Sequence, residues 1–94
     1  MIVVWSPRAI AHLANLRTYI EQENPDAAGR IATTLLTAVE RLAELPNIGR
    51  PGRVPGTREL VVPRTPLVIP YRLRGGRVEI IAVFHGRQRW PKRF

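Results

Sequence analysis

Residues 67–84, LVIPYRLRGGRVEIIAVF, contain the pattern that decides the fold. Gly75-Gly76 separates two runs rich in β-branched and aromatic residues, which predicts an antiparallel hairpin with strands at 67–73 and 78–84. One wholly apolar set of side chains then faces inward: Leu73 opposite Val78, Tyr71 opposite Ile80, Ile69 opposite Ala82, and Leu67 opposite Phe84. Pro70 favours a four-residue loop, because a two-residue loop would place its missing N–H in the pairing with the last strand.

The opposite face of this hairpin is half apolar and half basic. Arg72 is expected to pair with Glu79 across the strands. Further along, the same face carries Val68, Pro70, Ile81 and Val83. A folded-back tail, or strand propensity alone, would account for these residues. In a chain this short, however, few residues remain to cover them, so a partner protein is the expected cover.

The residues before the hairpin predict a strand and two helices. Ile2 to Trp5 are β-branched or aromatic, and the start signals Ser6-Pro7 and Asn24-Pro25 then open helices reaching about Glu23 and Leu45. Residues 46–57 form a loop rich in proline and glycine, followed by a strand at 58–62. We therefore expect an α+β fold in a single domain, 1–94. An N-terminal strand and a three-stranded antiparallel meander form one sheet, with an antiparallel helical hairpin packed on one face.

Charge is segregated along the chain. Up to Leu45 there are four arginines against five carboxylates, whereas from Pro46 onward eleven basic residues face only Glu59 and Glu79. A charge of one sign confined to half the chain favours an anionic partner such as nucleic acid, the ribosome or an acidic protein segment. The chain has no cysteine, no signal-peptide pattern and no long apolar run. A cytoplasmic location without membrane contact is expected.

The basic tail is a candidate target-binding strip, in which cations would meet phosphate and a ring would stack. Its residues are Arg87, Arg89, Trp90, Lys92 and Arg93. Trp90 could equally fold back to close the small core. No phosphate-loop, dinucleotide or metal-ligand motif is present, so no cofactor and no metal are expected.

One imidazole lies among the arginines. His85 could act as an acid or base beside the phosphate-binding candidates Arg58, Arg72 and Arg87, although a histidine at a strand end is more often structural. His12, alone on the first helix, is interpreted as a solvated or satisfied side chain.

The whole arrangement resembles the RelE/ParE toxin family of type II toxin–antitoxin systems. The resemblance runs from the first strand to Pro91 and rests on Gly49-Arg50, Gly56-Thr57-Arg58-Glu59-Leu60, Tyr71-Arg72 and His85-Gly86-Arg87. It implies a cognate antitoxin, through which alone the toxin would meet operator DNA. The outer face of the hairpin is the expected antitoxin site: Val68, Pro70, Arg72, Arg74, Arg77, Ile81 and Val83.

The resemblance also implies one of two targets. RelE-like members cut messenger RNA on the ribosome, using basic residues and usually a tyrosine or histidine near the C-terminus, whereas ParE-like members poison DNA gyrase. This chain has no tyrosine in its tail and no lysine before Lys92, which favours the ParE side. His85 keeps the endoribonuclease open as the alternative. A third possibility is an inactive remnant that only binds its antitoxin.

Overall fold

The computed structural model describes residues 1–94 as two helices packed on one sheet. The helices are α1 (Pro7–Glu23) and α2 (Pro25–Glu40), and a short 3-10 turn (Arg41–Ala43) continues α2. The strands, in chain order, are β1 (Ile2–Trp5), β2 (Arg50–Pro51), β3 (Arg58–Val61), β4 (Leu67–Arg74), β5 (Arg77–Ile80) and β6 (Phe84–His85). The predicted fold class is confirmed, and the short strands β2 and β6 are additions to it. No helix combines the length and the apolar character needed to cross a bilayer.

Both helices begin where the sequence predicts. The Ser6 hydroxyl accepts a hydrogen bond from the Ala9 N–H at 3.0 Å, and the Asn24 side chain accepts one from the Ala27 N–H at 3.1 Å. Each cap precedes a proline that needs no backbone partner. Asn24 also ends α1, because its extended backbone breaks the helix while its N–H still reaches the Ile20 carbonyl. One asparagine therefore makes the corner between the helices.

The strand order β1-β5-β4-β3-β2 could not be derived from the sequence. β1 runs parallel to β5, and the other neighbours are antiparallel. The helical hairpin is the connection that carries the chain from β1 to the rest of the sheet. As a result, β1 is an edge strand with β5 on one side only.

The turn between β4 and β5 differs from the prediction. Arg74 pairs with Arg77, so the loop has two residues, Gly75 and Gly76, both with positive φ (59° and 73°). Two adjacent glycines make that left-handed turn possible without steric cost, and its twist suits a hairpin. The preference for four loop residues was therefore wrong.

The missing N–H of Pro70 is compensated from outside the hairpin. Pro70 accepts a hydrogen bond from the Ile81 N–H at 2.9 Å but cannot return one to the Ile81 carbonyl. The Ser6 hydroxyl donates to that carbonyl at 2.8 Å instead. The residue that caps α1 thus also satisfies the strand group that proline leaves unpaired.

A bulge follows at this point. Tyr71 pairs with Ile80 and Val68 pairs with Phe84, so the three residues 81–83 lie opposite only two residues of β4. The expected pairs Leu73–Val78 and Tyr71–Ile80 are confirmed, whereas Ile69–Ala82 and Leu67–Phe84 are wrong. Beyond the bulge every side chain changes face. Val83 packs in the main core, while Ala82 and Phe84 lie on the far side of the sheet.

Two apolar clusters result, one on each face of the sheet. The main core joins Ala9, Leu35 and Leu42 of the helical layer to Tyr71 and Ile80 of the sheet. The second cluster contains Ile81, Ala82 and Phe84, against which Trp90 and Phe94 of the C-terminal tail pack. The tail therefore covers the outer face of the hairpin, and the expectation that a partner protein would be needed for this was wrong.

Candidate target-binding surface

Glu59 organises the loop that precedes β3. Its side chain is only 2% exposed, and it accepts hydrogen bonds from Arg50 Nη2 at 2.9 Å and from Arg53 Nε at 3.0 Å. The Arg53 backbone N–H donates a further bond at 2.7 Å. Burial by itself would raise the pKa of Glu59, but the hydrogen bonds from Arg53 and Arg50 outweigh it, so that the pKa falls below its ordinary value. A buried, ionised carboxylate therefore holds two arginines in place.

Arg53 connects this loop to the tail. Its guanidinium carbon lies 3.6 Å from the centre of the Trp90 ring, which is the geometry of a cation–π contact. Trp90 in turn packs on Phe84, with ring centres 4.8 Å apart. We call this set the arginine–aromatic surface: Arg50, Arg53, Glu59, Phe84, Trp90 and Phe94. The structural role considered for Trp90 is thus present, and the ring remains partly exposed.

The tail cations surround this surface. Arg87, Arg89, Lys92 and Arg93 are all exposed, and none forms an ion pair. The two arginines held by Glu59 also keep exposed side-chain area, 52% for Arg50 and 40% for Arg53. Sequence reasoning missed Arg50, Arg53 and Glu59 as a unit. The only signal for this unit in the sequence was Glu59, the single acid among the arginines of the loop and of β3.

Tyr71 anchors the other end of the loop. Its hydroxyl accepts a hydrogen bond from the Gly49 N–H at 2.9 Å and donates one to the Pro46 carbonyl at 2.7 Å. Burial raises the pKa of this phenol, so it stays protonated. A Cβ at position 49 would lie 2.5 Å from the Tyr71 ring, which explains the glycine. Arg58 donates to the Gly49 carbonyl at 2.9 Å, so it too supports the loop.

The structure does not bring the candidate catalytic residues together. His85 pairs with Leu67, and Arg72 lies five positions further along β4 on the opposite face. At the strand rise of about 3.3 Å per residue, that separation is roughly 17 Å. Arg72 is paired with Glu79 at 3.1 Å, as predicted. Arg87 alone is near His85, where its backbone N–H donates to the His85 Nδ1 at 3.1 Å.

The apolar part of the expected antitoxin site is buried. Val68 is 5% exposed, Ile81 and Val83 are each 7% exposed, and Pro70 is fully buried. The bulge turned Val83 into the core, and the tail covers the face that carries Ile81. The basic part remains accessible, since Arg74 and Arg77 are exposed and Arg72 is partly exposed. The premise of an exposed apolar strip at this place was therefore wrong.

Exposed apolar side chains occur instead at the β1 edge. Ile2 is 69% exposed, Val4 37% and Leu36 of α2 42%. On the side of β1 that faces the helices, next to Leu36, a depression of about 290 Å³ is lined by Val3, Trp5, Leu36, Val39, Glu40 and Ala43. An uncharged edge strand next to an apolar depression is a surface on which another chain can add a strand. Nothing in the run IVVW, taken alone, indicated that it would lie at the edge.

A helical hairpin packed on one face of a small sheet, with cations beside the other face, is the arrangement that the resemblance to the RelE/ParE toxins implies. Residues 3–90 match the family described as ParE toxin of type II toxin-antitoxin system, parDE. The chain belongs to the ParE toxin family.

Individual relatives are likewise described as toxins. The chain is 48% identical to "Putative toxin Y4kP" of Sinorhizobium fredii, over 94% of this chain and 91% of that protein. It is 43% identical to "Toxin RelE2" of Caulobacter vibrioides, over 88% of this chain and 92% of the relative. Among solved structures, "Chromosomal ParDE TA system from P. aeruginosa" superposes with a TM-score of 0.82 at 26% identity, covering 90% of this chain and 95% of that one.

Proposed function

We propose that this toxin acts by binding and poisoning DNA gyrase, and that a cognate antitoxin neutralises it. The arginine–aromatic surface and the tail cations would make the contact with the target. The observation that carries the proposal is that His85 lies apart from Arg72 and Arg58 along the sheet. Both arginines are already engaged within the protein, Arg72 with Glu79 and Arg58 with the Gly49 carbonyl. A set of exposed cations around a packed aromatic ring is suited to binding an anionic partner, not to acid–base chemistry.

The second candidate function is ribosome-dependent cleavage of messenger RNA. It is favoured by one observation, the exposed His85 beside Arg87 and Arg89. A lone imidazole with adjacent cations could still complete an active site supplied partly by the ribosome. An inactive remnant would show neither activity.

Inducing the chain without its antitoxin distinguishes these functions. We expect cell filamentation, a DNA-damage response and accumulation of gyrase–DNA cleavage complexes. Reversing the charges of Arg89 and Arg93 should abolish the complexes. Arg17→Glu, on the exposed face of α1, is the matched control and should leave them unchanged. Rapid arrest of translation with codon-dependent cuts in ribosome-bound message would show that the second function is right.

For the antitoxin, we propose that an extended segment pairs with the β1 edge and fills the adjacent depression, while acidic residues contact Arg74 and Arg77. Edge pairing satisfies the free backbone groups of β1 and covers Ile2 and Leu36 in one step. The arginines would mainly set association rate and register.

A further inference from the structure

Two histidines that are far apart in the sequence line one cleft in the structure. The cleft lies between α1 and β6 and has a volume of about 220 Å³. His12 lies on α1 and His85 lies on β6. The two side chains meet because α1 packs over the part of the sheet that contains β6. The remaining lining is the amides Asn15 and Gln88 and the apolar side chains Leu16, Leu67 and Val83. No carboxylate lines it.

The hydrogen bonds of the two rings fix where their protons are. His12 Nδ1 accepts a hydrogen bond from the Val83 N–H at 3.2 Å, and His85 Nδ1 accepts one from the Arg87 N–H at 3.1 Å. A neutral imidazole whose Nδ1 is an acceptor carries its proton on Nε2. Burial lowers the pKa of His12, and the charge of Arg8 lowers it further, so this ring is neutral at pH 7.

Neither Nε2–H group has a partner within the protein. The hydrogen bonds of both rings involve only Nδ1. His12 is partly buried, yet no buried side-chain nitrogen is left without a hydrogen bond, so its Nε2 must reach solvent. Both rings line the cleft, and each has an Nε2–H group that is not used within the protein.

This arrangement restricts the ligand chemistry. A metal ion would need an unprotonated Nε2, which the backbone donors on Nδ1 oppose, and an added proton would have to displace those donors from Nδ1. An acceptor of hydrogen bonds, in contrast, finds two imidazole donors. Gln88 adds a third, because its carbonyl oxygen already accepts from the His85 N–H and leaves its NH₂ group available. The charged residues next to the two histidines, Arg8 and Arg87, are basic, and neither of them lines the cleft itself.

We propose that the His12–His85 cleft is a binding site for a phosphate group, held by the Nε2–H groups of both imidazoles. Phosphate is favoured over a carboxylate because it carries more charge toward the flanking arginines and has enough oxygens for several converging donors. The site lies beside the helical layer, whereas the arginine–aromatic surface lies on the outer face of the sheet. It adjoins the proposed target contact, because Arg87 belongs to the tail cations and the Phe84 ring lies 5.4 Å from the His12 ring. The phosphate titration that tests it contains no gyrase, so its failure would leave the proposed target contact standing.

The test is a titration of the purified full-length chain with inorganic phosphate at pH 7.5, followed by long-range ¹H–¹⁵N NMR of the imidazoles. We expect both rings to be Nε2–H tautomers and both Nε2 signals to shift with one common dissociation constant. His12→Asn and His85→Asn should each weaken binding about tenfold, the usual effect of losing a hydrogen bond to a charged group. An asparagine oxygen can take the place of Nδ1, so both variants keep the backbone hydrogen bond.

Arg77→Gln is the control, since it removes a positive charge at the distant hairpin turn and should leave phosphate affinity within about twofold. A single-stranded oligonucleotide identifies the source of the phosphate. Oligonucleotide binding that depends on both histidines indicates a phosphodiester backbone, whereas binding of inorganic phosphate alone indicates a free phosphate. The proposal is overturned if phosphate gives no saturable shift, if both asparagine variants bind like the parent, or if acetate binds as tightly as phosphate.

Discussion

Glu59 shows how one residue can determine the state of a whole loop. A carboxylate that is 2% exposed would be strongly unfavourable alone, and five donors from Arg50 and Arg53 compensate for its burial. Because their acceptor is buried, the two arginines are held in one geometry, which an ion pair between two exposed side chains would not achieve. The basic loop is thus ordered by the one acid beneath it.

Replacing this acid should make stability less dependent on pH. Glu59→Gln should lower the free energy of unfolding by about 2 kcal/mol at pH 7, because hydrogen bonds to a charged group are lost. In the parent, the folded pKa lies below the ordinary value of 4.5. Its contribution is therefore complete above pH 4.5 and is lost as the pH falls through the folded pKa. Urea unfolding at pH 7 and pH 3.5 should show the two proteins converging at the lower pH. A constant difference would contradict this account.

At the scale of the element, β1 and the last hairpin differ in whether their unpaired backbone N–H and C=O groups find another partner within the protein. Within the hairpin, Pro70 leaves the Ile81 carbonyl without a partner, and Ser6 supplies one from the end of β1. β1 itself keeps a free outer edge with exposed apolar residues and no charge, although edge strands are usually protected by charge, proline or a bulge. This unprotected edge is what motivates the proposed antitoxin site.

A charge on the edge strand should interfere with antitoxin binding. Ile2→Asp should weaken the complex by at least tenfold while leaving the fold intact, because the Ile2 side chain is 69% exposed. Tyr19→Asp is a matched control, since Tyr19 is a similarly exposed apolar residue of α1, at 66%. Calorimetric titration with the purified antitoxin measures both. Unchanged affinity in Ile2→Asp would place the antitoxin elsewhere.

On the scale of the whole molecule, the charge segregation of the sequence becomes a division between layers. The helices carry most of the carboxylates, whereas ten of the fourteen arginines lie in the loops, the sheet and the tail. The tail joins these parts, because Trp90 contacts both Phe84 of the sheet and Arg53 of the loop. Its position therefore decides whether the basic residues form one surface.

Removing the Trp90 ring should release the tail. Trp90→Ala should lower the free energy of unfolding by about 2 kcal/mol, less than for a fully buried tryptophan, since the ring is partly exposed. Trypsin should then cut faster at Arg87 and Arg89, and gyrase binding should fall while antitoxin binding at the β1 edge persists. Arg53→Gln, which removes only the cation–π contact, should show a smaller effect of the same kind. Parental trypsin resistance in Trp90→Ala would mean that the ring does not hold the tail.

The sequence by itself determined the elements whose signals are local. The caps Ser6 and Asn24, the apolar spacing along α2 and the Gly75-Gly76 turn act over a few residues. The caps and the position of the turn were found where expected, although the loop is two residues shorter than predicted. The family resemblance rested on such local signals in their order along the chain.

Only the tertiary structure decided which face of the sheet each side chain after Ile80 occupies, and which distant residues come into contact. The bulge at 81–83 lies next to Pro70, which leaves the Ile81 carbonyl to accept a hydrogen bond from Ser6, a residue distant in sequence. A shift of one residue reverses every side chain after it, which moved Val83 inward and Phe84 outward and gave the tail a surface to cover. The Glu59 cluster and the His12–His85 cleft likewise join separated segments. Such contacts depend on the path of the whole chain, which no local pattern specifies.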